Sequence, residues 1–412
     1  MNKHFPMRAL AAALMLASAG AMAAPGLSSN GYFRMGIGTS SEGGDQACFG
    51  LGPAKYRLGN ECDDYAEIGL DAELPISPNG TVWKAHAMIT GWSAYPNSLN
   101  GVDVSWSQLY LSGHNLGTGA MEGASIWVGR RYYDRPDIHI LDYKYQNSDG
   151  DGAGIENVNL GFGKFSWAIE RSPLDWNNNS STEDDVVYFT NLLRLDSIKL
   201  HQDGWLTFNA GFSGGKDSRD KTTEAQNGWY LGSFYDFKVG SLDAWNRIGV
   251  QYGKGNMATG NFGQINYATV DADDTFQIFD NVTYTSGDGK WTVLANALYR
   301  KDKRTTDAWS DGTWISFGAR PQYHFTDIFG VAAELGYTSL KNSGDEKTRT
   351  LTKGTVALTA ASGRTAYSRP EVRLFYTYAK WNDDAKGWVG YGTPFQDKTS
   401  GSSFGIQAES WW

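Results

Sequence analysis

The chain has 412 residues, with 36 Lys and Arg against 45 Asp and Glu for a formal charge of −9, and this acidic balance argues against a nucleic-acid partner. Its 50 glycines, 16 Trp, 22 Tyr and 19 Phe are out of line for a helical or α/β domain and favour an all-β architecture rich in turns. The six histidines are scattered without ligand spacing, which speaks against a metal centre, and no cofactor motif is evident.

Residues 1–23 place Lys3 and Arg8 before an apolar run that ends at Ala21-Met22-Ala23. This is the pattern of a secretory signal peptide, and the run is shorter than the roughly 20 residues of a spanning helix. Its removal takes the formal charge from −9 to −11. Residues 24–412 show no linker or change of composition and read as one domain. The first period-two segment, GYFRMGIG (31–38), sets Phe33, Met35 and Ile37 against Tyr32 and Arg34. Cys48 and Cys62 follow and are the only cysteines. In an exported chain they are expected to form a disulfide worth up to about 3 kcal/mol; a two-cysteine metal site is the weaker reading, because no His lies beside them.

The alternation continues along the chain. DYAEIGLDAEL (64–74) sets Ala66, Ile68, Leu70 and Ala72 against Tyr65, Glu67 and Asp71. GKFSWAIER (163–171) sets Phe165, Trp167 and Ile169 against Lys164, Ser166 and Glu170, and WNRIGVQYG (245–253) sets Ile248, Val250 and Tyr252 against Trp245, Arg247 and Gln251. Each predicted strand is amphipathic, so the apolar faces pack together in a sandwich or meet lipid around a polar interior. Connections decide between them. Short ones at 286–290 and 324–330 alternate with long polar ones at 301–313, 340–349 and 382–401, the asymmetry of an outer-membrane barrel. At roughly 20 to 25 residues per strand and connection, the chain holds on the order of 16 to 18 strands. The last strand ends SSFGIQAESWW, with Trp411 on the face of Gln407 and Glu409, and Trp412 on that of Ile406.

YRLGNECDDYAEIGL (56–70), IWVGRRYYDRPDIHILDY (126–143), DGAGIENVNLGFGK (151–164), SRPEVRLFYTYAKW (368–381) and the terminal FGIQAESWW together resemble maltoporins, the sugar-specific porins of Gram-negative outer membranes. The resemblance implies a transmembrane antiparallel β-barrel of eighteen strands, a homotrimer, and a third loop folded inward as a constriction. It further implies passive, facilitated diffusion of maltose and maltodextrins, and surface loops that can serve as a phage receptor. By local match, Tyr32, Tyr65, Trp245, Tyr367 and Trp411 look like positions of the family's aromatic slide, and Trp92 like the aromatic contributed from the second loop across a subunit interface. Arg34, Arg57, Glu67, Arg135, Asp137 and Asp142 match its polar track, with Asn246 and His139 as further contacts. Ions suit that task because sugar hydroxyls both donate and accept. Lys144 stands where the family has a tyrosine at the constriction, Ser107 where an arginine is expected, and Asn147 near an expected acid. These departures leave open a different sugar or an anionic saccharide.

Most aromatics in a barrel belong to its lipid-facing girdles. Tyr32, Tyr65, Trp245, Tyr367 and Trp411 differ because each shares a face with charge, and Arg or Lys at mid-membrane costs about 2–4 kcal/mol on the lipid side. For the charged residues the plain alternative is structural: Arg130, Arg131, Asp134 and Asp142 are expected to include ion pairs that pin the inward loop. A general diffusion porin remains the alternative function. An enzyme is not expected, since no carboxylate pair sits in the apolar setting a glycosidase acid needs.

Overall fold

The computed structural model describes residues 26–74, 80–93, 102–174, 186–218, 224–305, 307 and 310–412. The signal peptide expected over residues 1–23 lies outside them. Eighteen antiparallel strands form one sheet that closes on itself. Strands adjacent in the barrel wall follow each other in the chain, and the first, Leu27–Ser40, pairs with the last, Ser400–Trp411. In that seam Tyr32 lies opposite Trp411 and Ser40 opposite Ser403. Closure removes the sheet edge and satisfies each strand's backbone groups within lipid. Among the described residues, no helix is long and apolar enough to cross a membrane.

The period-two pattern becomes an inner and an outer wall. Along Glu371–Trp381, Glu371, Arg373, Phe375, Thr377 and Ala379 are buried, while Val372, Leu374, Tyr376 and Tyr378 are exposed. Ile37, Leu231, Leu335, Val356, Phe404 and Ile406 extend the exposed apolar band around the barrel. Connections at one end are short, as at 160–163, 202–203, 286–290 and 325–328, and the described chain ends lie there too. The other end carries the longer ones, 41–63, 135–147, 256–273 and 382–399. Strand pairing runs on to Lys303 and Asn342, so the long stretches expected at 301–313 and 340–349 shorten to 304–311 and 343–348.

The core sits inside the barrel, between its wall and loops that fold inward. Ile138, Ile140, Leu141, Tyr143 and Tyr145 of 135–147 pack on Phe234, Phe279, Leu294, Leu298 and Trp314 of the wall. The third loop is therefore inward, as the resemblance implies. It has company. The first loop, closed by a Cys48–Cys62 disulfide with Cα atoms 5.9 Å apart, crosses the lumen: Lys55 N donates to Leu141 O at 3.0 Å and Arg57 N to Ile140 O at 2.9 Å. Loop 256–273 backs the third loop, with Asn147 N donating to Phe262 O at 2.8 Å.

Tyr56 anchors the first loop to the far wall. Its hydroxyl lies 2.8 Å from Ser316 Oγ, and a Cβ on Gly318 or Gly336 would stand 2.3 Å or 2.2 Å from its ring. Those two positions must be glycine for the ring to lie flat against the strands. Gly336→Val is expected to expel Tyr56, to lower stability by about 1–3 kcal/mol and to raise single-channel conductance as the first loop loosens. Denaturant unfolding and planar-bilayer recordings check the two effects.

Candidate functional site

The constriction is built on a two-residue ladder in which Asp137 faces Lys144 and Ile138 faces Tyr143. The turn His139–Leu141 joins its arms, and Asp142 takes the left-handed conformation that lets the chain reverse. Tyr143 Oη donates to Gln277 Oε1 at 2.6 Å, and Arg247 Nη1 donates to Tyr145 Oη at 2.5 Å. These bonds hold the ladder's base against the wall while the His139–Asp142 tip points across the lumen toward the seam.

At the tip, cations and anions interlock. Arg57 Nε donates to Glu61 Oε1 at 2.7 Å, and its Nη2 donates to Glu409 Oε1 at 2.6 Å and to Tyr32 Oη at 2.8 Å. Glu409 also accepts from Arg369 Nη2 at 2.6 Å and Arg373 Nη2 at 2.5 Å. Arg34 forks onto Asp63 at 2.6 Å and 3.2 Å and reaches Asp142 at 3.6 Å. Lys55 Nζ binds Asp142 at 2.8 Å. Glu67 accepts from Tyr65 Oη at 2.5 Å, and Arg135 stacks 3.7 Å over Tyr132 while pairing with Asp149 at 3.2 Å. Truncating one partner of a buried pair such as Arg57–Glu409 costs about 3–5 kcal/mol, because the other charge is left uncompensated.

The aromatics form a row beside this network. Tyr65 and Tyr32 lie 5.9 Å apart, and Tyr32 and Trp411 stack at 6.4 Å and 15°. Arg369 covers Trp411 at 4.1 Å. The His139 ring stands edge-on to Trp411 at 5.9 Å and 5.3 Å from Tyr367. The Tyr367 hydroxyl is 3.4 Å from Thr283 Oγ1, and Thr283 is the strand partner of Trp245. Trp245 and Tyr367 face inward yet stay 42% and 41% exposed, so the row borders open space. Trp92 ends the strand Val82–Ser93 as the partner of Tyr65, on the same face, and its Nε1 donates to Asp63 at 3.1 Å; the second loop beyond it lies outside the described residues.

Two expectations need correction. Asn246 alternates with Trp245 and so falls on the outward face of Ile248 and Val250, away from the lumen. Arg130 pins no loop: it faces outward and forks onto Asp151 of the neighbouring strand at 2.9 Å and 3.0 Å. The inward loop is not alone, since Lys55, Glu61 and Asp63 of the first loop supply as much of the network as the third. Arg131 pairs with Glu156. Asp134 does tie the third loop down, accepting from Gln146 Nε2 at 2.5 Å. Trp205 was missed. It shares the inward face of Asn209 and lies 5.7 Å from Trp245, and its alternation with Leu206 and Phe208 would have revealed it. Ser107 is the extra residue in a bulge, hydrogen-bonded to Thr90. Among the described residues, no group of three His, Cys, Asp or Glu side chains is placed to hold a metal.

A closed wall with an apolar outside, a charged inside and loops that narrow an open bore defines a porin of the outer membrane. The family model LamB porin matches residues 27–412, and the chain belongs to that family, whose members are channels and not enzymes. Among solved structures, OccAB1 of Acinetobacter baumannii shares the fold, with a TM-score of 0.51 at 9% identity over 94% of this chain and 96% of that one. The outer membrane protein opdK of Pseudomonas aeruginosa matches with a TM-score of 0.49 at 10% identity over 94% and 99%. Salmonella typhi OmpF in complex with daunomycin gives 0.49 at 12% over 93% and 97%.

Two titrating groups at the loop tip respond to acid in the same sense. Burial, reinforced by Arg57, Arg320 and Arg369, holds His139 well below the usual histidine range, with Glu409 opposing. Burial works against the Asp142 charge, yet Arg57, Lys55 and Arg34 outweigh it and hold that carboxyl below the usual carboxylate range. Both native groups bind protons less readily than their unfolded forms, so the stability they contribute is present at neutral pH and lost on acidification. His139 loses its part first, as pH falls through about 6.5 toward its depressed native value. His139→Gln is expected to flatten the fall in melting temperature between about pH 7 and pH 5, with the wild-type protein in the same detergent as reference.

Proposed function

We propose that this porin conducts maltose and maltodextrins, or closely related neutral oligosaccharides, by facilitated passive diffusion. The observation that carries the reading is the row Tyr65, Tyr32, Trp411 running beside the Arg57–Glu409 network. Aromatic faces bind the apolar faces of sugar rings, while fixed carboxylates and guanidiniums exchange hydrogen bonds with their hydroxyls. Because Tyr32 both lines the row and is bonded to Glu409, at 2.8 Å, one side chain serves both halves of the task. A chain of rings advances by trading one aromatic for the next. Conduction needs such repeated weak sites, strong enough to admit a solute and weak enough to release it.

The same reading gives the other residues their roles. Arg34, Glu67, Arg135, Asp137 and Asp142 form the polar side of the path, and Tyr367, Trp245 and Trp205 carry the sugar toward the short-turn end. The proposal includes export by a signal peptide over 1–23 and assembly as a homotrimer; Trp92, inward beside Tyr65 and bonded to Asp63 of the same chain, extends this chain's own row and not a neighbour's. Removing two stacking rings, each worth about 0.5–1.5 kcal/mol, should weaken binding on the order of tenfold. Maltodextrins are expected to block ion current through the reconstituted wild type and to block Trp245→Ala/Trp411→Ala about tenfold less well. Equal block by both proteins overturns the slide.

Lys144 favours a modification of this reading. It faces Asp137 across the ladder, and among the described residues no ion pair engages its amine, unlike Arg34, Lys55, Arg57 and Arg135. A cation left uncommitted at the narrowest point draws anions, so anionic saccharides become permeant solutes as well. Lys144→Met should move the reversal potential in a salt gradient toward cation preference.

A further inference from the structure

The inner wall carries a second polar recess that the row of aromatics leaves unused. Its cavity of about 210 Å³ lies between the first four strands, lined by Asn30, Asp71, His86, Gln108 and Tyr110 among others. Asn30 precedes Tyr32 by two residues on the same inward face, and Asp71 follows Glu67 by four. Two residues of strand span about 6.5 Å, so the recess sits roughly one sugar ring to the side of the slide. Gly69 lies between Glu67 and Asp71, and a Cβ there would come within 2.3 Å of Asn30 Oδ1. With glycine at that point, the wall between slide and recess stays low.

The groups in the recess are prepared for a ligand. Asn30 Nδ2 donates to Asp71 Oδ2 at 2.7 Å, and His86 Nδ1 lies 2.5 Å from Asp71 Oδ1. Both contacts fix the carboxylate. His86 lies flat on Tyr110, with centroids 4.1 Å apart and planes at 11°, and Arg131 stands 5.2 Å over the Tyr110 ring, so Tyr110 backs the imidazole and the flat face left for a ligand is that of His86. Gln108 accepts from Tyr132 N at 3.1 Å through Oε1, but among the described residues its Nε2 meets only the Met88 sulfur, at 3.3 Å. A thioether is a weak acceptor, which leaves that amide ready to donate to a better one.

A fixed acceptor, an available donor and a flat aromatic face are the complement of a polyhydroxylated ring. Asp71 in the wall excludes an anion, and the volume, below the roughly 300–1,000 Å³ of a drug-sized pocket, admits one ring and not a chain. We propose that this recess is a lateral subsite for a single neutral pyranose branching from a saccharide held on the slide. The inference rests on the sugar-porin reading above. It makes Asp71, Gln108 and Tyr110 determinants of which branched oligosaccharides the channel prefers.

The experiment compares current block by linear maltotriose with block by maltotriose bearing one glucosyl branch on a primary hydroxyl, in wild type, Gln108→Leu and Tyr110→Ala. The branched sugar is expected to bind wild type about tenfold more tightly than the linear one, as one or two net hydrogen bonds provide. Both variants should lose that preference and keep linear block unchanged, which also shows that they fold. Linear block with no branched preference in wild type, or a preference that survives both substitutions, overturns the subsite. Absence of block by either sugar in wild type overturns the sugar-porin reading instead.

Discussion

An eighteen-stranded barrel is too wide for side chains on opposite walls to meet, and the rest of this molecule follows from how that space is filled. A smaller barrel packs its own inward residues into a core. Here the core comes from loops, with 41–63 and 135–147 laid back to back across the bore and sealed by Ile140, Leu141, Tyr56 and Tyr143 against the wall. Apolar packing fixes where the loops lie, but it does not make a path for a solute. That is left to the side the loops do not fill, where the tip meets the seam and the contacts become ionic.

Buried charge is expensive unless every partner is in place. Glu409, 1% exposed, meets this condition with three guanidiniums: Arg57 from the first loop, Arg369 from the connection 362–370 and Arg373 from the wall. Three separate pieces of chain converge on one carboxylate, so the network fastens the loops as it lines the lumen. The structural and the functional readings of these charges therefore describe the same bonds. On the proposed function, charges paired with one another offer a sugar hydrogen bonds to bridge, without the strong isolated field that would trap it.

What could be read from the sequence was what period two controls. The inward faces of Tyr32, Tyr65, Trp245 and Trp411, and the lipid faces of Met35, Ile37 and Ile406, follow from alternation with charged residues, because a strand has only two sides. Neglect of the same rule produced the errors on Asn246 and Trp205, each decidable from its neighbours. Loops obey no such period. Nothing local in "AKYRLGN" says that Tyr56 will cross the lumen to lie on Gly318 and Gly336, since that contact joins residues more than two hundred apart and depends on two absent side chains. The disulfide was legible because two cysteines permit one pairing, whereas its consequence, a closed loop stiff enough to insert, was not.

The two terminal tryptophans show how closely closure and conduction are joined. Trp412 faces outward, its Nε1 donating to Ser29 Oγ at 3.0 Å, and it ends the strand that closes the barrel. Trp411 faces inward against Tyr32, its register partner across the seam, and Glu409, two residues earlier on the same face, is the hub of the ionic network. The stacked pair Tyr32–Trp411 therefore exists only when the last strand meets the first in one register. A slip by a single residue would turn Trp411 and Glu409 to the lipid and bring Ser410 and Trp412 inward. Breaking the network would cost the buried pairing of Arg57, Arg369 and Arg373 at once. The interactions that line the lumen beside the seam are thus the ones that select the correct closure, and the barrel cannot close in register without forming the Tyr32–Trp411 stack.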